Sequence, residues 1–137
     1  MRPFLLVAAG LALAGLSSSP LIKEACSQPA PTAPTKQTVS FAEDVFPIFK
    51  GRCNDCHRPG GPGYEISGLD LTTYDGLMKG THHGPMVIPG DPDSSNLMWL
   101  LDWRASPQVR MPHGKKKLST CDRDEIRQWI REGAKNN

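Results

Sequence analysis

The chain has 137 residues, with 16 Lys and Arg against 14 Asp and Glu and a formal net charge of +2 at pH 7. A charge balance so close to neutral argues against the basic surface that nucleic-acid binding requires, so no nucleic-acid partner is expected. The predicted folded part, residues 39–134, is long enough for one small domain and no more.

The N-terminus has the pattern of an export signal. Arg2 is followed by an apolar run over residues 4–16 and by three serines at 17–19. That run is too short to cross a bilayer and suits the core of a signal peptide. We therefore predict a signal peptide over residues 1–19, with an uncleaved membrane anchor as the alternative. The expected location is the periplasm.

Residues 20–38 are predicted to be a Pro-rich linker or disordered tail, because prolines recur there without apolar periodicity. Cys26 lies in this segment. Lipidation of Cys26 is disfavoured, because Lys23 and Glu24 place charges where an apolar recognition sequence is expected. A disulfide between Cys26 and Cys121 is an open alternative in an oxidising compartment, but a free Cys121 thiol near a helix start is favoured.

The first helix is predicted to begin at a capping box. The Ser40 hydroxyl and the Glu43 carboxylate are each able to satisfy a free backbone N–H group. Pro47 falls inside the helical pattern, so a kink or a restarted turn is expected near Phe46. The apolar stripe of this helix consists of Phe41, Val45, Ile48 and Phe49.

The most informative residues follow this helix: Cys53, Cys56 and His57 form a C-x-x-C-H motif, the signature of c-type haem attachment. Two intervening residues on a helical turn separate the sulfurs enough to reach both haem vinyl groups. The adjacent His57 then lies under the iron as the proximal ligand. The motif predicts one covalently bound haem c, and attachment of that kind agrees with the export signal.

Two other chemistries use a C-x-x-C pair. A zinc site needs a second pair of ligands, and the neighbouring His82 and His83 point in different directions. A thioredoxin-like dithiol centre is expected to follow a strand, whereas the residues before Cys53 have a helical pattern. Haem attachment is therefore the favoured interpretation.

Residues 58–63 are rich in Gly and Pro, so we predict a loop without regular structure that wraps one haem edge. The Pro59 carbonyl is a candidate acceptor for Nδ1 of His57, and a simple turn residue is the alternative. Leu69 and Leu71 lie in a short extended piece.

Three further helices are predicted from their caps and apolar spacing. The first begins within residues 72–75 and ends at Gly80, and the second follows a turn at 89–92 and the cap residues 93–95. A long loop over 103–117 precedes the last helix, which begins near Ser119 or Thr120 and stops at Gly133. In a cytochrome, the apolar face of this last helix is expected to pack on the first helix and the haem.

The sixth iron ligand has several candidates. Met78 and Met98 lie on predicted helices, where methionine is more often core filling. Met111 lies in the long late loop, and Pro112 holds the chain extended after it. Met111 is therefore favoured, and an open site remains an alternative. The other candidates are Met86, His82, His83 and His113.

The chain resembles a class I cytochrome c and, more narrowly, the planctomycete-type monohaem cytochrome c domains. The resemblance implies an all-α fold of helices and long loops wrapped around one covalently bound haem. It implies Cys53 and Cys56 as thioether donors, His57 as the proximal ligand and Met111 as the distal ligand. His113 replaces the second proline common in that family, which makes it a rival ligand. The matching residues are Phe41, 44–48, the C-x-x-C-H motif, 68–71, 89–92, Ser95, Leu97, Met111, Pro112, 129–130 and 133–134.

The predicted function is one-electron transfer, without enzymatic chemistry. Lys115, Lys116 and Lys117 either form part of a docking face for an acidic redox partner or belong to an ordinary solvated loop. One alternative function is a haem subunit fixed in a larger, membrane-associated oxidoreductase. Another is an open-site haem protein that binds a small gas or peroxide, although no distal acid–base pair is evident.

Overall fold

The computed structural model describes residues 38–137. The predicted signal peptide, Cys26 and all but the last residue of the predicted linker lie outside the described residues. Within the described range the chain is helical, and one isolated β-bridge joins Thr81 to Gly84, so the predicted all-α class is confirmed there. None of the helices in this range is long and apolar enough to span a membrane. The helices are α1 (Phe46–Arg52), α2 (Pro62–Ser67), α3 (Tyr74–Lys79), α4 (Asn96–Leu101) and α5 (Thr120–Arg131).

The first helix restarts where the sequence predicts. A π-helical segment, Phe41–Val45, runs into α1, and Pro47 lies in the first turn of α1, where it removes no helical hydrogen bond. The Ser40 hydroxyl accepts from the Glu43 N–H at 3.2 Å, as the capping box requires. The reciprocal bond differs from the prediction, because the Ser40 N–H donates to the Asp44 carboxylate at 2.8 Å.

Helix α2 is absent from the sequence prediction, which treats residues 58–63 as an irregular loop. Pro62 and Gly63 instead open α2. Proline is favoured in the first turn of a helix, because its fixed φ suits the helix and its missing N–H would have no partner there. This segment, although rich in Gly and Pro, therefore contains the start of a helix. The prediction of irregular structure at Pro62 and Gly63 was wrong.

The caps of α3 and α5 agree with the prediction. The Thr73 hydroxyl accepts from the Gly76 N–H at 3.0 Å, and the Ser119 hydroxyl accepts from the Asp122 N–H at 3.0 Å. Helix α3 ends at Lys79, and Gly80 follows with a positive φ. The last helix reaches Arg131, and Gly133 follows with φ 101°. Both helix ends are therefore set by local sequence.

The start of α4 is built differently from the prediction. Ser95 precedes the helix, but its hydroxyl makes no capping bond. It donates to the Asp91 carbonyl at 2.7 Å and accepts from the Ile88 N–H at 2.9 Å. The buried Ser95 side chain therefore stabilises the turn at 88–91, which overlaps the predicted turn at 89–92.

An aromatic cluster joins the two ends of the domain. The Phe41 ring lies 5.4 Å from the Trp129 ring and 5.2 Å from the Tyr74 ring, and the Tyr74 hydroxyl donates to the Ala134 carbonyl at 2.8 Å. Helix α5 therefore packs on the first helix, as predicted. The buried face of α5 consists of Ile126, Trp129 and Ile130.

A charged clasp fastens the end of α4 to α5 and to the late loop. The Asp102 carboxylate, 17% exposed, accepts from Arg123 at 2.8 Å and from Arg127 at 2.7 Å. The Lys117 ammonium donates to the Asp102 backbone carbonyl at 2.7 Å. Burial alone would raise the pKa of Asp102, but the hydrogen bonds and charges of the two arginines hold it below its ordinary value. The clasp fixes the start of the late loop.

Cys121, in the first turn of α5, is disulfide-bonded. The favoured expectation of a free Cys121 thiol is therefore wrong. The free cysteines of the described residues are Cys53 and Cys56, the two that belong to the C-x-x-C-H motif.

Candidate functional site

The C-x-x-C-H motif extends α1 by one further turn. The Cys53 N–H donates to the Phe49 carbonyl at 2.8 Å, continuing the helical bonding. The Cys53 carbonyl then accepts from the Cys56 N–H at 3.1 Å and from the His57 N–H at 3.0 Å. The turn places both thiols and the imidazole at the end of one rigid element, as the motif predicts.

Helix α2 is built onto this turn. The Cys56 carbonyl accepts from the N–H groups of Gly63 and Tyr64, at 2.9 and 3.0 Å. A Cβ atom at Gly61 would lie 2.5 Å from the same carbonyl oxygen, and one at Gly63 would lie 2.9 Å from Cε1 of His57. Glycine at both positions lets α2 approach the motif, so these residues allow the helix to pack against the His57 imidazole.

His57 is buried, with 9% of its surface exposed. Burial lowers its pKa, and the backbone of Leu69 opposes this shift. The imidazole is therefore neutral at pH 7, the form that binds a metal. Nδ1 is shielded and has no hydrogen-bond partner, so the predicted bond to the Pro59 carbonyl is absent. The ring nitrogen left for a metal in the adjoining cavity is Nε2.

The Cys53 thiol lacks the lowered pKa that a dithiol redox centre needs. Burial raises the pKa of Cys53 to about 11, although the charges of Lys115 and Arg52 oppose the shift. A reactive dithiol needs a lowered thiol pKa, so the Cys53 thiol stays protonated and inert as a thiolate nucleophile at neutral pH. No group of three or more His, Cys, Asp or Glu within 38–137 is arranged to hold a metal ion, which leaves the zinc alternative without a ligand set there.

One cavity of about 640 Å³ adjoins the motif. This volume lies within the range of cofactor sites, roughly 300–1,000 Å³. Cys53, Cys56 and His57 line one part of it, and Met111 lines it from the late loop. The cavity therefore brings together all four predicted cofactor-binding residues.

Some candidates for the sixth ligand line the cavity and others do not. Met98 is 1% exposed in the core, and neither it nor Met78 lines the cavity. His82 packs against Gly68, where an added Cβ atom would lie 2.6 Å from Cε1 of the His82 imidazole. His82 does not line the cavity, whereas the next residue, His83, does. The candidates that do line it are Met86, Met111, His83 and His113.

The description of the site agrees with a comparison against known families. A family model described as Planctomycete cytochrome C matches residues 53–113. This segment is similar to planctomycete cytochrome c domains. The resemblance predicted from the sequence is confirmed over that range, which begins at Cys53 and ends at His113, so it contains the attachment motif and Met111. No curated protein and no solved structure matches the chain.

The similarity of this segment to a cytochrome c family points to haem-based electron transfer and to haem c as the cofactor. The residues of the cavity fit such a group. Its charged side chains within the described residues are basic, and no carboxylate lines it, which suits a macrocycle that carries propionates. Two large apolar side chains at the cavity, Ile66 and Val109, are 81% and 50% exposed, and a flat apolar ring would cover them.

Helix α5 contributes no residue to the cavity. The expectation that its apolar face packs on the haem is therefore wrong, and the face packs on the first helix and the core instead. The apolar part of the cavity comes from other elements. Its buried members are Phe49, Leu69, Leu71, Met86, Leu97 and Leu101.

Sequence reasoning missed two features of the site. The contact of Gly61 and Gly63 with the motif was detectable in principle, since a glycine followed by a proline marks a helix start. The second feature is a pair of hydrogen bonds that hold the Met111 backbone at the end of α4. The Met111 N–H donates to the Leu100 carbonyl at 3.2 Å, and Nε1 of Trp103 donates to the Met111 carbonyl at 2.8 Å. No pattern in the sequence signals these bonds.

Proposed function

We propose that this protein is a periplasmic one-electron carrier with a single haem c, bound covalently through Cys53 and Cys56 and ligated by His57 and Met111. The observation that carries the proposal is the shared cavity, which the attachment motif and Met111 line together. The family match over 53–113 supports it. When bound, the haem supplies an iron centre that cycles between ferrous and ferric states.

Each of these residues has a role that follows from its surroundings. The Cys53 thiol is protonated and held in place by burial, which suits a thioether donor better than a thiolate catalyst. His57 is neutral and fixed by Gly63, so it offers one nitrogen to a metal without a large rearrangement. The apolar lining of the cavity excludes water and lowers the local dielectric, which tunes the reduction potential.

The choice of Met111 rests on its place in the chain. Its N–H is bonded to Leu100 of α4 and its carbonyl to Trp103, which follows that helix, whereas His83 and His113 are exposed. Met86 lines the same cavity but is 6% exposed and counted among the core side chains. A methionine ligand raises the reduction potential relative to a second histidine.

The ligand assignment is tested by the spectrum of the ferric protein. Met111→Ala should abolish the thioether-to-iron charge-transfer band at the red end of the spectrum and let the ferrous protein bind carbon monoxide. Met86→Leu is the matched control, because it removes a thioether from the same cavity, and it should keep the band. A band that survives in Met111→Ala and disappears in Met86→Leu would assign the ligand to Met86.

A further inference from the structure

Trp103 holds the backbone of Met111 from the end of α4. Its indole N–H donates to the Met111 carbonyl at 2.8 Å. The Met111 N–H donates to the Leu100 carbonyl at 3.2 Å, in the last turn of the same helix. Both polar backbone groups of Met111 are therefore bonded to a four-residue stretch of chain, which restricts where its side chain can go.

The conformation of Trp103 is unusual for a bulky residue. Its φ is 61°, in the left-handed region, which costs a non-glycine residue free energy that neighbouring contacts must offset. The Trp103 N–H donates to the Leu100 carbonyl at 3.2 Å, and the charged clasp fixes the preceding residue, Asp102. The surrounding structure thus specifies this backbone conformation.

The indole ring is also held by cations from the loop that it supports. The Arg110 guanidinium lies over the Trp103 ring at 3.9 Å from its centroid, and the Lys117 ammonium lies 5.7 Å from it. Cations this close to an indole are attracted by its π-face. Residues on both sides of Met111 in the chain therefore pack on Trp103, and the ring acts as the centre of the late loop.

We propose that Trp103 is a positioning residue for Met111, whose indole N–H fixes the Met111 backbone and so keeps the thioether available as the sixth ligand. The inference rests on the proposed ligation by Met111. It adds a residue outside the cavity whose loss opens the ligand site while the domain stays folded. Once the Trp103 indole is lost, no other described residue of the late loop donates a hydrogen bond to the Met111 carbonyl.

Trp103→Phe tests this, because it keeps an aromatic ring for Arg110 and removes the N–H donor. Trp129→Phe is a matched control: the Trp129 indole N–H also donates to a backbone carbonyl at 2.8 Å, that of Lys135, away from the cavity. Circular dichroism selects a temperature at which both haem-loaded variants are folded. The readouts are the ferric charge-transfer band and the affinity for imidazole, which competes with the methionine.

Trp103→Phe should weaken the band and raise the apparent imidazole affinity about tenfold, the equivalent of about 1.4 kcal/mol, since the Met111 carbonyl loses its partner. Trp129→Phe should lower the unfolding temperature and leave both readouts at wild-type values. Equal imidazole affinities in the two variants would overturn the proposal. Failure of the proposed function is distinguishable, because the wild-type protein itself would then lack haem or lack the band.

Discussion

At the residue scale, the site depends on an imidazole packed against glycine. The ring of His57 lies against α2 so closely that a Cβ atom at Gly63 would be 2.9 Å from Cε1 and 3.1 Å from Nδ1. Real Cβ atoms essentially never lie within 3.0 Å of another heavy atom, so any side chain at this position must displace the imidazole or the helix. Gly63 is therefore required by His57 rather than by a turn.

Gly63→Ala should destabilise the haem-loaded protein by about 1–3 kcal/mol, because the added methyl group forces a shift in a packed site. Chemical unfolding followed through the haem spectrum measures this change. Gly51→Ala is the control, since nothing lies within 4 Å of its added Cβ atom and the residue is helical. That variant should be neutral or stabilised by up to about 1 kcal/mol. Equal stability of the two variants would contradict the packing argument.

The sequence predicts the residues of the site better than it predicts the contacts that hold those residues in place. Cys53, Cys56 and His57 follow from a short motif with a fixed chemistry, and Met111 follows from its position in a loop. The bond from Trp103 to Met111 depends on a left-handed backbone at Trp103 that tertiary contacts impose, and local propensity does not report such contacts.

At the element scale, the ends of α4 and α5 are joined by ionic hydrogen bonds. Asp102 follows the last residue of α4 and accepts from two arginines of α5. Hydrogen bonds to a charged group are stronger than neutral ones when solvent is partly excluded. The clasp holds the turn that carries Trp103, so it couples the packing of α5 to the late loop.

Asp102→Asn should lower the free energy of unfolding at pH 7 by about 1–2 kcal/mol, a value reduced for the solvent that still reaches the pair. Asp124→Asn removes an exposed carboxylate that also pairs with Arg127 and should change stability by less than about 0.5 kcal/mol. Urea unfolding of both variants measures the difference. A larger loss of stability in Asp124→Asn than in Asp102→Asn would contradict the role given to Asp102.

The pH dependence of stability gives a separate test of the clasp. The pKa of Asp102 is lowered in the folded state, so its stabilising contribution is present above the unfolded pKa, about 3.9, and disappears as the pH falls through the folded pKa. Wild-type protein should therefore lose more stability than Asp102→Asn on acidification below about pH 4. Parallel stability curves for the two proteins would count against a lowered pKa.

Local signals also account for which elements the sequence predicts. The boundaries of α3 and α5 follow from side-chain caps and glycine stops, which act within a few residues. Helix α2 was missed because its start has no side-chain cap and its Gly and Pro content resembles a loop. Ser95 was misassigned because its hydroxyl bonds to a preceding turn instead of the helix that follows.

At the scale of the whole molecule, the three lysines of the late loop are not equivalent. Lys117 donates to the Asp102 carbonyl at 2.7 Å and lies near the Trp103 ring, so its side chain is held within the fold. Lys115 lines the cavity and pairs with exposed Asp55 at 3.5 Å. The Lys116 side chain is exposed, while its carbonyl accepts from Arg52 at 2.9 Å. We propose Lys115 and Lys116 as the part of the run that steers an acidic redox partner.

Lys116→Gln should slow oxidation of the ferrous protein by ferricyanide about twofold at low ionic strength, because one attractive charge near the cavity is removed. The difference should vanish in high salt. Lys117→Gln should slow the reaction less, because this side chain is half-buried, and should lower stability, since it breaks an internal hydrogen bond. Stopped-flow absorbance measures the rates. A slower, salt-dependent reaction in Lys117→Gln alone would contradict this division of roles.

The proposed covalent attachment of one haem to Cys53 and Cys56 is tested most directly by the intact mass of the exported protein. This mass is measured under denaturing conditions and compared with that of the variant in which both cysteines are alanine. The wild-type mass should exceed that of its polypeptide by one haem, and the double variant should carry none. A wild-type mass equal to that of the bare polypeptide would contradict covalent attachment.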